Sequence, residues 1–378
     1  MMRRIFTAAC IALGLLAACA GDEPPDGAVH VARVDGTVGP IMARYIDRII
    51  SDAEDQNARL VVLELDTPGG LDTSMRDIVQ RIGRADVPVA VYVAPIGARA
   101  ASAGTFITMA GHIAAMAPNT AIGAASAINA DGSDIEGTLG KKIENDAVAY
   151  IRGIAELRGR NADWAEQAVR EAVAVNENEA ARLDVVDFVA ADLDDLLRQS
   201  EGRTITLRPG VTATLTGLPG APRVDLEMTV WERFLAFIAD PAIASLLLSL
   251  GFLAIMIELF SPGLGVPGVA GAIAVILGFL GFGLLPVDTA GLVLIALGLA
   301  LVAAELFVTS GILGAAGAVA IVLGAIIAFR DTPADFRPPA WAFATAGGIL
   351  LAVVLLLVAI VLFADRQARR ARSDPFAF

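Results

Sequence analysis

Cysteine, histidine and positive charge are all in short supply in this chain. Only two cysteines occur among 378 residues, Cys10 and Cys19, and both stand within the first twenty positions. The remainder of the chain therefore has no disulfide and no thiolate metal site. Two histidines, His30 and His112, are too few for an imidazole-rich metal centre. No metal or organic cofactor is expected, because the sequence has no ligand cluster and no phosphate-binding glycine loop followed by Lys-Ser/Thr. Lysine and arginine total 28 against 41 acidic residues, a net charge of −13. Phosphate recognition needs a basic surface, so nucleic acid is not expected as a partner.

Apolar residues are in excess: 56% of the chain is hydrophobic and 18% is charged, against about 45–50% and about 25% in ordinary soluble domains. The excess is concentrated from Pro241 to Phe363. That distribution excludes a purely soluble protein, and the hydrophobicity excludes disorder. At the other end, Arg3 and Arg4 precede an apolar run from Ile5 to Leu16. This run is too short to span a bilayer and suits a secretory signal, so residues 1–20 read as an address. The small residues Ala17 and Ala18 just ahead of Cys19 resemble a bacterial lipoprotein cleavage box, which would make Cys19 the lipidated first residue. Ordinary cleavage after Ala20 is the alternative.

From residue 28 to 200 strand-like and helix-like stretches alternate. Strands are expected at Ala28–Val34, Leu60–Leu65 and Val89–Val93, with short extended pieces at Ile113–Met116 and Ala121–Gly123. Helical spacing covers Ile41–Ile50, Ser74–Ile82, Ala103–Gly111, Lys142–Arg158 and Ala162–Glu171. Such alternation predicts an α/β domain with a parallel sheet covered on its faces. Residues 201–239 read as a connector, with a hairpin around Pro209-Gly210 and an amphipathic stretch from Met228 to Ala239. The latter lies at the membrane surface or packs on the soluble domain.

Apolar blocks near 241–259, 266–285, 289–307, 311–329 and 340–363 predict an all-α membrane domain of about five helices. The first four form a tandem repeat. Glu258-Leu-Phe and a Gly271 to Gly278 run are matched by Glu305-Leu-Phe and a Gly317 to Gly324 run. Both glutamates fall beside turns, which suits interface anchoring or turn hydrogen bonding better than an ion path. Arg366, Arg369, Arg370 and Arg372 follow the fifth block, which places residues 364–378 in the cytoplasm and the N-terminal domain outside it.

Two loops follow strands of the α/β domain, Asp66-Thr-Pro-Gly-Gly70 and Gly97-Ala-Arg-Ala-Ala-Ser-Ala-Gly104. Ligands of parallel sheets bind outside such strand ends. Ser102 opens the next helix, and the N–H groups of Gly70 and Ala103 are placed to stabilise an oxyanion, a combination that suits acyl transfer. A serine in this position also makes a good N-cap, so the sequence leaves both roles open. A nucleophilic serine needs a base. His112 lies ten residues on, ~15 Å along a helix, and His30 belongs to the first strand. Lysine serves when its amine is uncharged. The domain's lysines are Lys141 and Lys142, expected to open a helix. Spacing alone does not choose between them.

These segments, together with Met116-Ala-Pro-Asn-Thr-Ala-Ile-Gly-Ala124 and the stretch from Lys142 through Asn145 to Arg152, resemble the NfeD family of membrane-bound serine proteases. Asp240-Pro241, Glu258-Leu-Phe-Ser-Pro-Gly263 and Val266-Pro-Gly-Val-Ala-Gly271 extend the resemblance into the membrane part. It implies a soluble domain of Clp-protease/crotonase type, a βα superhelix. It also implies a Ser–Lys dyad of Ser102 and Lys142, with Gly70 and Ala103 as oxyanion donors. Cleavage would fall in apolar segments of a stomatin-like membrane protein, and the protease domains would form homodimers or higher oligomers. The location implied is the bacterial inner membrane, with the protease domain periplasmic. The OB-type barrel that long members carry after the last helix is expected to be absent. A catalytically weak scaffold for membrane partners and a crotonase-like acyl-CoA enzyme are the rival readings.

Overall fold

Val89-Ala-Val-Tyr-Val93 has no polar position, and a strand of that kind is stable only with cover on both faces. The computed structural model supplies that cover. It describes residues 27–126, 135, 137–260, 265–285, 287–308 and 312–330, with a few positions from 332 to 348. The chain begins β1 (Val29–Asp35), α1 (Pro40–Asp55), β2 (Leu60–Asp66), α2 (Asp72–Arg84), β3 (Val89–Val93). A three-residue strand, β4 (Arg99–Ala101), runs directly into α3 (Ala103–Ala110), followed by β5 (Ile113–Met116) and β6 (Ala121–Gly123). Next come α4 (Gly137–Arg158), α5 (Ala162–Arg170), β7 (Ala174–Asn176), α6 (Glu177–Arg182), β8 (Phe188–Val189) and α7 (Leu193–Ser200). A hairpin of β9 (Thr204–Arg208) and β10 (Val211–Thr214), the strand β11 (Arg223–Leu226) and α8 (Val230–Ile238) lead to the apolar helices α9 (Pro241–Phe260), α10 (Val266–Gly283), α11 (Thr289–Val308) and α12 (Ile312–Ala328).

Six strands form an all-parallel sheet in the order β11-β1-β2-β3-β5-β8, and β4-β6-β7 make a smaller sheet beside it. From β1 to β8 the chain steps across the large sheet in one direction, as the expected βα superhelix requires. The period of two divides the strands cleanly. Val61, Leu63, Leu65, Val89, Val91 and Val93 face the larger core under α1 to α5. Leu60, Val62, Ala90 and Tyr92 face a second core closed by α7 and the hairpin.

The large sheet continues past residue 200, the expected end of the domain. Strand β11, within the segment read as a connector, pairs in parallel with β1 from Val29↔Arg223 to Ala32↔Leu226 and forms the sheet's edge. Ile205, Leu207, Leu215 and Leu218 fill the second core. The soluble domain therefore extends through Leu226, because the face of the sheet opposite the helices has to be covered by residues later in the chain.

His112 is part of that cover. Its Nδ1 accepts the Val89 N–H at 3.0 Å, so the protonated Nε2 donates to the Leu207 carbonyl at 3.0 Å. The ring thus joins the sheet to the hairpin and is no base for Ser102. Burial, with the Arg158 and Arg160 cations beside it, pushes its pKa down to about 3.

The apolar helices form two hairpins built alike. Gly251 of α9 meets Gly271 of α10, and Gly298 of α11 meets Gly317 of α12. A side chain on Gly271 would lie 2.5 Å from the Gly251 carbonyl, and one on Gly317 would lie 2.7 Å from the Gly298 carbonyl. Backbone contact this close needs small residues, as in membrane helix pairs. Glu258 accepts the Gly265 N–H at 3.1 Å, and the buried Glu305 accepts the Gly314 N–H at 2.9 Å. The turn-bonding reading therefore holds at both glutamates. Pro241–Glu258 and Val266–Gly283 are each long and apolar enough to cross a membrane. The signal segment with Cys19, the fifth helix and the basic tail lie outside the described residues.

His112 sets a pH dependence. An unfolded chain protonates this ring below about 6.5, whereas the folded chain resists down to about 3. The unfolded state binds the extra proton in that window, so stability falls with pH. In urea titrations the wild-type folding constant should drop by up to about tenfold per pH unit between 6 and 4 from this group. The His112→Gln variant should lose that part of the slope.

Candidate active site

Ser102 stands where β4 turns into α3. Its backbone, at φ 52° and ψ −116°, lies outside the regions that a side chain adopts without strain. Strain of about 1–3 kcal/mol persists only where the surroundings over-determine it, and here three segments do so. The Ser102 N–H donates to the Gly123 carbonyl of β6 at 3.2 Å, and the Thr105 N–H donates to the Ser102 carbonyl at 2.9 Å. The fully buried Thr105 hydroxyl lies 3.0 Å from the Ala100 carbonyl and 3.2 Å from that of Gly123. From below, Ala101 N–H donates to Thr67 O at 3.1 Å and Thr67 N–H to Arg99 O at 2.8 Å. These bonds join the Asp66–Gly70 loop to β4.

Glycine is needed twice in that loop. A Cβ on Gly69, which has φ 123°, would lie 2.7 Å from Ser102 Cβ; the serine occupies that space. Gly70 is clamped from the other side, with Val38 N–H donating to Gly69 O at 2.8 Å and Leu71 N–H to Val38 O at 2.9 Å. A Cβ on Gly70 would come within 2.6 Å of Val38 N and closer still to its carbonyl oxygen.

Ser102 does occupy the N-cap position of α3, but its side chain makes no capping bond. Its hydroxyl and the N–H groups of Gly70 and Ala103 have no protein partner among the described residues. One free hydroxyl and two free backbone donors are thus left at the mouth of two helices, α2 beginning just after Gly70 and α3 just after Ser102.

Helix α4 starts at Gly137 rather than near Lys142, so Lys142 sits in its second turn. Lys141 and Lys142 are exposed, and neither has a hydrogen bond or ion pair among the described residues. No Ser102–Lys142 hydrogen bond is present.

What α4 does contact is informative. Phe106 of α3 stacks on Tyr150 with ring centroids 6.2 Å apart, and Arg158 Nε donates to the Ala110 carbonyl at 2.9 Å. Arg76 of α2 bonds Asp72 at 2.8 Å, pairs with Asp146 and lies 4.5 Å over the Tyr150 ring. Burial raises the pKa of the Tyr150 phenol, which stays neutral, and its hydroxyl has no partner among the described residues. Glu144 and Asn145 turn the other way, to Arg170 of α5. Thr105, Gly69, Val38 and Arg76 were not identified as site residues from sequence. Each acts through a backbone or helix remote in the chain, and only the Thr105 position, three after Ser102, carried a local hint. Among the described residues no group of His, Cys, Asp or Glu could hold a metal.

Two family models match the chain: the NfeD1b N-terminal domain over residues 28–205 and the NfeD integral membrane domain over 242–364. Membrane-bound protease PH1510 of Pyrococcus horikoshii is 36% identical over 80% of this chain and 69% of its own length. The chain is a member of the NfeD family. Membrane protein NfeD1b of Bacillus subtilis is 30% identical over 88% of this chain and 70% of that one. Among solved structures, the soluble part is similar to 1510-N, a membrane-bound stomatin-specific protease. A lysine-to-alanine variant of 1510-N in complex with a substrate peptide is 37% identical, with TM-score 0.53, over 56% of this chain and 98% of that one. A serine-to-alanine variant is 36% identical, with TM-score 0.51, over 54% and 99%. As an NfeD protein this chain is a membrane protein.

The clamp on Gly70 is open to test. Gly70→Ala forces its methyl group into the Val38 backbone, and the substitution should destabilise the soluble domain by about 1–3 kcal/mol. A urea midpoint unchanged from wild type would show that the loop is not held by Val38.

Proposed function

We propose that this NfeD protein is a membrane-anchored serine endopeptidase in which Ser102 is the nucleophile and Lys142 the base. The observation that carries the reading is the strained, unbonded serine at the head of α3 beside two free backbone donors. Ser102 Oγ attacks the scissile carbonyl carbon while its proton passes to Lys142 Nζ, which acts as an uncharged amine. Gly70 and Ala103 N–H groups hold the oxyanion. Collapse breaks the C–N bond, and Lys142 returns the proton to the leaving amine. Water then hydrolyses the acyl-serine by the same steps in reverse.

The helix contacts support Lys142 as the partner. Going down α3 from Phe106 to Ala110, the facing residue on α4 moves from Tyr150 to Arg158, so the two helices run in the same sense. Followed back toward their N-termini, they bring the first turns of α4 toward Ser102. In the solved relatives the replaced serine and lysine stand 41 positions apart, and Ser102 and Lys142 stand 40 apart. The names of those relatives support a stomatin-like membrane protein as substrate, and we place the cleavage in an apolar segment of it. The arrangement we infer is five spans in a bacterial inner membrane, with the protease domain periplasmic, the C-terminus cytoplasmic and the protease domains paired.

The exposed, unpartnered Lys142 is the observation that favours a second reading, a catalytically weak scaffold organising stomatin-like partners. Cleavage of apolar peptides by the full chain decides between them. Ser102→Ala and Lys142→Ala should each lower kcat by about three orders of magnitude or more, with thermal unfolding unchanged. Lys142→Arg should fail equally, because a guanidinium does not give up its proton in proteins. Loss in Lys141→Ala with full activity in Lys142→Ala would move the base to Lys141, and full activity in Ser102→Ala would leave only the scaffold.

A further inference from the structure

Helix α8 is held at both ends. At its start Thr229 and Glu232 form a capping box, with Glu232 N–H donating to Thr229 Oγ1 at 3.1 Å and Thr229 N–H to Glu232 Oε2 at 2.7 Å. The same carboxylate accepts two bonds from Arg48 of α1, at 2.7 and 2.9 Å. Arg48 also donates to the Glu227 carbonyl at 2.9 Å, and Tyr45 of α1 donates to the Leu226 carbonyl at 2.6 Å. At the far end Ile238 is 1% exposed, and its carbonyl presses on α10 at Gly281, where a side chain would collide. Only Ala239 and Asp240 separate α8 from the first apolar helix. Asp240 caps that helix by accepting the N–H groups of Ala242 and Ile243 at 2.8 and 3.0 Å.

The outer side of α8 carries three exposed apolar residues beside Arg233, which pairs with Glu227 at 3.5 Å. Val230, Trp231 and Phe237 are 78%, 61% and 58% exposed, and Trp231 stacks on Phe234 at 5.4 Å. A bare aromatic stripe two residues from a membrane-crossing helix suits the headgroup region, where Trp is favoured. We propose that α8 lies on the bilayer surface as a rigid shelf and, through Arg48, holds the soluble domain at one height above the membrane. Resting on the protease reading, the shelf acts as a ruler: substrate segments at a set distance from the bilayer reach Ser102, and others do not. A flexible tether would behave differently, since its effective concentration falls smoothly, roughly as the −3/2 power of linker length.

The test uses the full chain in phosphatidylcholine vesicles and has two arms. In the first, lipids brominated near the headgroup should quench a fluorescence component that is present in wild type, absent in Trp231→Phe and inaccessible to aqueous iodide. Quenching of that component by iodide, or by neither reagent, as when a second copy covers the helix, overturns the docking. This arm needs no activity. In the second, one apolar cleavage segment is offered free in solution and on single-span anchors with linkers of increasing length. Wild type should cut within a narrow range of lengths and lose about tenfold or more outside it. Arg48→Ala should broaden this to a smooth decline while cutting the free peptide at the wild-type rate, and Arg48→Lys should restore part of the window. Identical profiles in wild type and Arg48→Ala overturn the ruler. A free peptide left intact by wild type, with bilayer contact confirmed in the first arm, would sink the protease reading and leave the docking standing.

Discussion

The backbone of Ser102 is the constraint around which the soluble domain is arranged. An L-residue at φ 52° and ψ −116° is unfavourable by itself, so neighbours have to hold it there. Gly123 takes its N–H, Thr105 ties β4 and β6 to the first turn of α3, and Gly69 gives up the space of a side chain. In return the hydroxyl is kept out of the hydrogen bonding that an N-cap serine normally makes. A serine that cannot satisfy itself locally is available to a substrate. The same turn leaves the Ala103 N–H without a partner among the described residues, so the strain and this free donor have a common origin.

Helix α1 links this site with the membrane side of the molecule. The chain enters it just after Val38, whose backbone brackets Gly70, and carries Tyr45 and Arg48 to the other face, where they bind the Leu226–Glu232 stretch. The soluble domain thus meets the membrane helices through buried backbone contacts and a charge-assisted clasp, without an unstructured tether among the described residues. The tandem membrane hairpins follow a simpler rule. Glycines pair across each, and a glutamate caps each turn, because hydrocarbon offers no other partner to an exposed backbone group.

Much of the fold could be read from local pattern. Val89–Val93, Ile113–Met116 and Ala121–Gly123 were expected and found at the same bounds, and Leu60–Leu65 came within a residue of its own. The elements missed were short or deceptive. Strands β7 and β8 are three and two residues long and carry little pattern of their own. Strand β11, Arg-Val-Asp-Leu, reads as linker because only its pairing with β1 makes it a strand. Helix α4 was expected to begin at Lys142, since the glycines at 137 and 140 are poor helix formers; it begins at Gly137.

What the sequence determined by itself was composition and period: an α/β domain, a set of apolar helices, and a serine in a glycine-rich turn with two lysines as the domain's supply of amines. Periodicity is local, and so legible without a fold. Tertiary structure alone decided that Ser102 is strained and unbonded, that His112 is a neutral strut between β3 and the β9–β10 hairpin, and that Lys142 stands exposed on its helix. Each of these depends on which backbone approaches which, across tens of residues. Such an approach leaves no mark in the local pattern beyond an occasional glycine.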